Sequence, residues 1–365
     1  MILDRYFARR FLQSFMVIGT VFMALILLID FIEQLRRFES HDVSFGQKIG
    51  LTLLNAPAGI SEILPLLMIL ATIVLFVGLA RSSELVVTRA IGRSGIRALV
   101  GPVLVALIIG GLTVTTLNPI VAATAVRYQT LADTYRNGGP SALSLSSEGL
   151  WLRQGDAEGQ SVIHAQAFGP DGLTLLQVTI LSYAPGGGPV RRILADSAQL
   201  DVGKWVLTNA KVWPLETGQN PEVNAVRHDR YELPTSLTQD RIQDSLGRRE
   251  TISIYDLPKT IAELRQAGFS TKRHEVWLQV ELARPLFLIS MVLVGAAFTM
   301  RHARFGGTGI AVLTAVLLGF LLYFMRNFAQ ILGENGQIPV ALAAWAPPVA
   351  AIMLTFGLLL HAEDG

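Results

Sequence analysis

Phe11–Ile29 reads FLQSFMVIGTVFMALILLI and is apolar apart from Gln13 and Ser14. A helix of about 20 such residues crosses about 30 Å of hydrocarbon. Lipid offers the backbone no partners, so the run must close its own hydrogen bonds as a helix. Five further runs read the same way: Ile60–Leu79, Ala98–Leu117, Pro285–Met300, Thr308–Met325 and Ala341–Leu360. Pro285–Met300 is the shortest and extends back toward Leu278. The first run exceeds the 7–15 apolar residues of a cleaved signal and no A-x-A-like site follows it, so it is expected to remain as an anchor.

Composition agrees. Of 365 residues, 51% are hydrophobic and 16% charged, against about 25% charged in soluble domains. That excludes a disordered or collagen-like chain and argues against a soluble enzyme. The net charge of +2 is unevenly placed. Residues 127–282 carry 16 Lys/Arg and 18 Asp/Glu, and the remainder carries 14 and 10. The basic excess therefore belongs to the apolar part, as juxtamembrane charge requires, and not to a nucleic-acid surface. There is no cysteine, hence no disulfide or thiol chemistry.

Arginines set the orientation. Residues 1–10 hold Arg5, Arg9 and Arg10, the loop 81–97 holds Arg81, Arg89, Arg93 and Arg97, and the loop 301–307 holds Arg301 and Arg304. With an even number of spans these segments share a side, which the rule places in the cytoplasm. The opposite side has Arg36, Arg37 and Lys48 in one loop and none in 328–340. Both termini are then cytoplasmic and the central segment is translocated.

That segment divides the chain into residues 1–119 with three spans, an inserted domain at 120–270, and 271–365 with three more. Strand-like runs at Ser161–Phe168, Leu173–Tyr183, Val190–Val202 and Trp205–Pro214 alternate with turn signals at Asp171-Gly172 and Gly186-Gly187-Gly188-Pro189. They predict an all-β sandwich or jellyroll. Asp256–Ala267 then reads as a short helix, with Asp256 as N-cap, Pro258 early and Gly268 just past its end. The fold class is an α-helical membrane protein with six transmembrane helices and an inserted β domain.

Catalytic signatures are missing: no phosphate loop, no H-E-x-x-H, no G-x-S-x-G, no G-x-G-x-x-G. No cofactor is implied, and any ATP must be hydrolysed by another chain. Three segments could carry function. Arg81-Ser82-Ser83-Glu84-Leu85-Val86-Val87-Thr88-Arg89 predicts a short cytoplasmic helix at about 82–92. Ser82 or Ser83 caps it, and Glu84 lies in its first turn, where the dipole favours an anion. It either docks an ATPase through Arg81, Glu84, Leu85 and Arg89 or rests on lipid headgroups. The acidic residue among arginines favours docking. At the outer end of span one, Arg36 and Arg37 either bind phosphorylated headgroups bidentately or snorkel to the interface. Glu62, Arg284 and Arg326 are each either interfacial anchors or the rim of an outward-facing cavity.

The whole chain resembles the permeases of the lipopolysaccharide-transport system, the LptF/LptG family. The resemblance is carried by Ile2-Leu3-Asp4-Arg5-Tyr6, the Arg81–Val87 segment, Gly149-Leu150-Trp151, Arg326-Asn327-Phe328 and Trp345-Ala346-Pro347. It implies a bacterial inner-membrane LptF–LptG heterodimer with a periplasmic β-jellyroll on each subunit. An LptB ATPase dimer would bind the cytoplasmic coupling helices, and LptC would feed a bridge begun by LptA. Lipopolysaccharide would enter between spans one and five. The coupling glutamate maps to Glu84 and the headgroup-facing basic residues to Arg36 and Arg37. Some relatives carry a lysine at that end where this chain has Asp30, a carboxylate that would repel phosphates. Either subunit of the LptF–LptG pair fits this architecture, and a permease for another lipid or lipoprotein, and a non-transporting membrane scaffold, remain as alternatives.

Overall fold

The computed structural model describes residues 2–90, 94–137, 143–146, 149–156, 159–168, 174–184, 188–201, 203–215, 220–235, 251–266, 270–300 and 308–364. The side chain of Arg89, the whole of Arg93, Arg301 and Arg304, and the turn signals at Asp171-Gly172, Gly186-Gly187 and Gly268 lie outside the described residues. The chain forms two compact units. One comprises 1–136, 253–255 and 272–365, and the other 137–252 and 256–271.

The first unit is helical. Its elements are α1 (Ile2–Arg37), α2 (Phe45–Arg81), α3 (Glu84–Ala90), α4 (Gly95–Leu112) and α5 (Asn118–Asn137). After the β unit, which includes α6 (Leu257–Gln266), come α7 (Lys272–Thr299), α8 (Thr308–Glu334) and α9 (Val340–Asp364). Each of the six apolar runs lies in a helical path long and apolar enough to cross a membrane. The protein is a multi-pass helical membrane protein. At 36 residues α1 is about 54 Å long, so it projects beyond the hydrocarbon. Ser44 starts α2 with a capping box: its Oγ accepts from Gln47 N, and Gln47 Oε1 accepts from Ser44 N at 2.7 Å.

The helical core is built by α2 and α7, which bury 61% of the residues in their most apolar stretches, whereas α1 buries none there and α8 11%. Close approach is made by glycine. A Cβ on Gly101 of α4 would lie 2.5 Å from the Asp4 carbonyl of α1, and one on Gly110 would lie 2.6 Å from Pro285 Cα of α7. The third span does not end at Leu117. A π-turn, Thr113–Leu117, joins α4 to α5, which runs on to Asn137. The position taken as the start of the inserted domain, 120, therefore lies within a helix. Residues distant in the chain reach the turn and its end: Tyr255 Oη donates to Thr115 O at 2.9 Å, and Ile254 N to Oδ1 of Asn118, the residue after the turn, at 2.8 Å.

The second unit is the inserted β domain. Strands β1 (Leu143–Ser146), β2 (Gly149–Asp156), β3 (Gly159–Phe168), β4 (Thr174–Tyr183), β5 (Pro189–Asp201), β6 (Lys204–Pro214) and β7 (Val226–Pro234) pair in chain order as one antiparallel sheet. Among the described residues it is a meander, without the two packed sheets of a sandwich or the crossovers of a Greek key. One face is buried, by Ile163, Val178, Ile180, Ile193, Trp205 and Leu207 among others. Simple alternation breaks once in each of three neighbouring strands. Buried positions step by three from Leu175 to Val178, from Ala195 to Ala198 and from Leu207 to Ala210. Gln177 and Asn209 take φ of 51° and 53° there, and Asn209 Nδ2 donates to Asp196 Oδ2 at 2.9 Å. This row of irregularities keeps one face apolar while bending the strands, as bulges do.

Candidate functional site

Glu84 is the first residue of α3. Helix α2 ends at Arg81 with Ser82 as its C-cap, Ser83 turns the chain with φ 58°, and the Ser83 carbonyl accepts from Val86 N and Val87 N at 3.1 Å. Two residues thus reverse the path and aim Glu84 back at α1. There the Tyr6 hydroxyl donates to Glu84 Oε2 at 2.7 Å, and Arg10 Nη1 donates to Oε1 at 2.7 Å and to the Tyr6 oxygen at 2.7 Å. The Ser82 hydroxyl adds a bond to Oε1 at 2.8 Å. Burial opposes ionisation of Glu84, but the hydrogen bonds from Tyr6, Ser82 and Arg10 together outweigh it and hold its carboxyl below the ordinary value.

The neighbours divide differently from the sequence reading. Leu85 is only 4% exposed and belongs to the apolar core of the helical unit, so it packs α3 against its own chain and has no free surface for docking. Thr88 is buried as well, while Val86 and Val87 are exposed. Arg81, the last residue of α2, is exposed. Tyr6 and Arg10 were not singled out as site residues. Their i, i+4 spacing puts them on one face of α1, but nothing local links that face to position 84.

At the far end of α1, Arg37 Nη1 donates to the Tyr128 hydroxyl of α5 at 3.0 Å, and Arg36 is exposed. The same hydroxyl accepts from Gln34 Nε2 at 3.0 Å. Asp30 joins this network: Asn55 of α2 donates to its Oδ1 at 2.7 Å, and Gln34 approaches the same oxygen at 3.4 Å. The Asp30 carboxylate is thus engaged between α1 and α2.

Glu62, Arg284 and Arg326 share a region of α2, α7 and α8. Arg284 pairs with the buried Glu281 at 2.8 Å and donates to the Ser61 hydroxyl at 2.5 Å. The Arg326 guanidinium stands 5.0 Å from the centre of the Phe287 ring. Glu62 is exposed and borders a cavity of about 200 Å³ with Pro65, Ile69, Met291, Phe320 and Tyr323. Arg284 and Arg326 therefore tie helices together, and Glu62 alone of the three lines the cavity. Among the described residues no three His, Asp or Glu side chains converge as a metal ion would need.

A unit of six membrane-spanning helices, an antiparallel sheet inserted after the third span, and a short helix pinned between the second and third spans define a multi-pass membrane protein with an inserted β domain. Residues 5–361 match the family described as lipopolysaccharide export system permease LptF/LptG, and the chain belongs to it. It is 24% identical over 377 residues to the lipopolysaccharide export system permease protein LptG of Haemophilus influenzae, covering 99% of each chain. The protein of the same name from Escherichia coli K12 is 23% identical over 363 residues, covering 99% of this chain and 98% of that one.

Proposed function

We propose that this chain is an LptG-type permease subunit of an ATP-driven transporter that extracts lipopolysaccharide from the outer leaflet of the bacterial inner membrane and passes it to a periplasmic bridge. It pairs with an LptF-type sister and draws ATP hydrolysis from an LptB dimer docked on α3. LptC and LptA receive the lipid. Both termini are cytoplasmic and the β unit is periplasmic. The names of the relatives favour the LptG type over its sister.

The observation that carries this reading is the uncovered apolar face of α1 and α8 within a chain that matches the permease family from end to end. A lateral gate for a lipid needs spans that do not bury their apolar faces in their own subunit. Extraction costs about 0.8 kcal/mol for each acyl CH₂ exposed to water, so several chains cannot leave unaided. Closure of a cavity between two subunits supplies the work, and the β domain receives the lipid. Arg36 and Arg37 hold the phosphorylated headgroup at the outer end of α1, and Glu84 with exposed Val86, Val87 and Arg81 meets the ATPase.

The test is purification of the intact chain in mild detergent with identification of what accompanies it. An ATPase pair, a second permease and lipid A are expected. Their absence from an otherwise folded preparation refutes the reading, and a different bound lipid reassigns the substrate. Glu84→Lys should abolish ATPase copurification and transport.

A further inference from the structure

Three separate parts of the chain converge on the Glu84 carboxylate: the first turns of α1 through Tyr6 and Arg10, the end of α2 through Ser82, and α3 itself. Covalently, α3 is joined to α2 and runs on toward α4, whereas Arg10 lies 74 positions away. Helix α1 is also the span whose apolar stretch is uncovered. Its first turns are the ones that grip Glu84. Arg10 is shared between Glu84 and the Tyr6 oxygen, so the two α1 side chains form one bracket around both carboxylate oxygens. Charge-assisted bonds of this kind are short and directional. Leu85, in the same helix as Glu84, is packed into the apolar core of the helical unit.

We propose that Tyr6 and Arg10 are positioning residues that couple α3 mechanically to α1, so that a displacement imposed on α3 is delivered to the lipid-facing span and not only to α2. The proposal rests on the reading of α3 as the ATPase-docking helix. Without the bracket, the partner still docks and hydrolyses ATP, but α1 no longer follows α3.

The experiment uses the whole complex: this chain, its sister permease and the ATPase, reconstituted in liposomes loaded with lipopolysaccharide. Copurifying ATPase, ATP hydrolysed and lipid released are measured for Tyr6→Phe, Arg10→Ala, Arg10→Lys and Glu84→Ala. Arg10→Ala should cut lipid released per ATP by about fivefold or more, the lower end of ordinary coupling between sites. Its ATPase copurification should change by less than about twofold, as for a surface substitution. Arg10→Lys, which keeps the charge, should recover at least half of the lost release. Tyr6→Phe should lie between the two, and these milder variants decide the matter if Arg10→Ala does not fold.

Unchanged lipid release per ATP in Arg10→Ala overturns the proposal. So does a loss of copurification matching that of Glu84→Ala, because Arg10 would then merely shape the docking surface. Full copurification with Glu84→Ala is a different failure: it removes the docking reading, and the proposal falls with it.

Discussion

Asn55 of α2 donates its side-chain amide to the carboxylate of Asp30 on α1 at 2.7 Å, fastening two spans just beyond their apolar runs. The other carboxylate oxygen, Asp30 Oδ2, is buried without a hydrogen-bond partner among the described residues. Asn55 is therefore the nearer of the two donors that reach this carboxyl group.

Removing one side of such a bond strands the other, at a cost of about 1.5–3 kcal/mol when a charge is involved, whereas replacing both sides is nearly neutral. Asn55→Leu should lower the thermal unfolding midpoint in detergent by several degrees. The double variant Asp30→Leu with Asn55→Leu should regain most of that loss. A double variant no more stable than Asn55→Leu alone would show that the bond is not what holds the pair.

Glu84 supplies a pH prediction. Its folded-state value is held below the ordinary carboxylate value, so its contribution is complete above the unfolded value of about 4.3 and is lost as pH falls through the folded one. The chain has no cysteine, so spin labels at Arg5→Cys and Val87→Cys are unambiguous. Their separation should stay constant from about pH 8 to 5 and lengthen only on acidification below the ordinary carboxylate value. A change between pH 6 and 8 would assign the titration to another group.

Neighbouring glycines in α4 should respond in opposite ways. A Cβ at Gly110 would lie 2.6 Å from Pro285 Cα, while one at Gly111 meets nothing within 4 Å. Gly110→Ala should destabilise the helical unit by about 1–3 kcal/mol through overpacking. Gly111→Ala should be neutral or gain up to about 1 kcal/mol from helix propensity. Thermal unfolding of the two purified variants side by side checks this, and equal behaviour would contradict the α4–α7 contact.

Arg36 and Arg37 differ in what holds them. Photocrosslinking to lipopolysaccharide should fall severalfold in the Arg36→Ala, Arg37→Ala double variant. Tyr128→Phe keeps the ring but removes the hydroxyl to which Arg37 donates, so it should weaken crosslinking from position 37 and spare position 36. Full crosslinking in the double variant would make both arginines interface anchors.

The six spans were legible because a bilayer demands about 20 consecutive apolar residues, a property of local sequence. The inserted β domain was legible from alternation and turn signals, but not its pairing. The steps of three beside Gln177 and Asn209 interrupt the period that a strand reading relies on, so a bent single meander looks like the strands of a sandwich. Leu85 was assigned to a docking surface because a short helix with one apolar face has two possible partners, and only packing shows that its own chain takes it. The continuation of the third span to Asn137 was hidden because α5 is polar enough to resemble a soluble segment.

By itself the sequence determined which segments are long and apolar enough to cross a membrane, where the arginines cluster, and that Glu84 is the acidic exception among basic neighbours. Each of these is set by composition within a few turns of chain. Only the tertiary structure decided what Glu84 and Asp30 touch. Their partners, Arg10 and Asn55, stand 74 and 25 positions away. Such pairs form only where helices pack, because a carboxylate drawn out of water takes the donors that the neighbouring helix brings within reach, whatever their place in the chain.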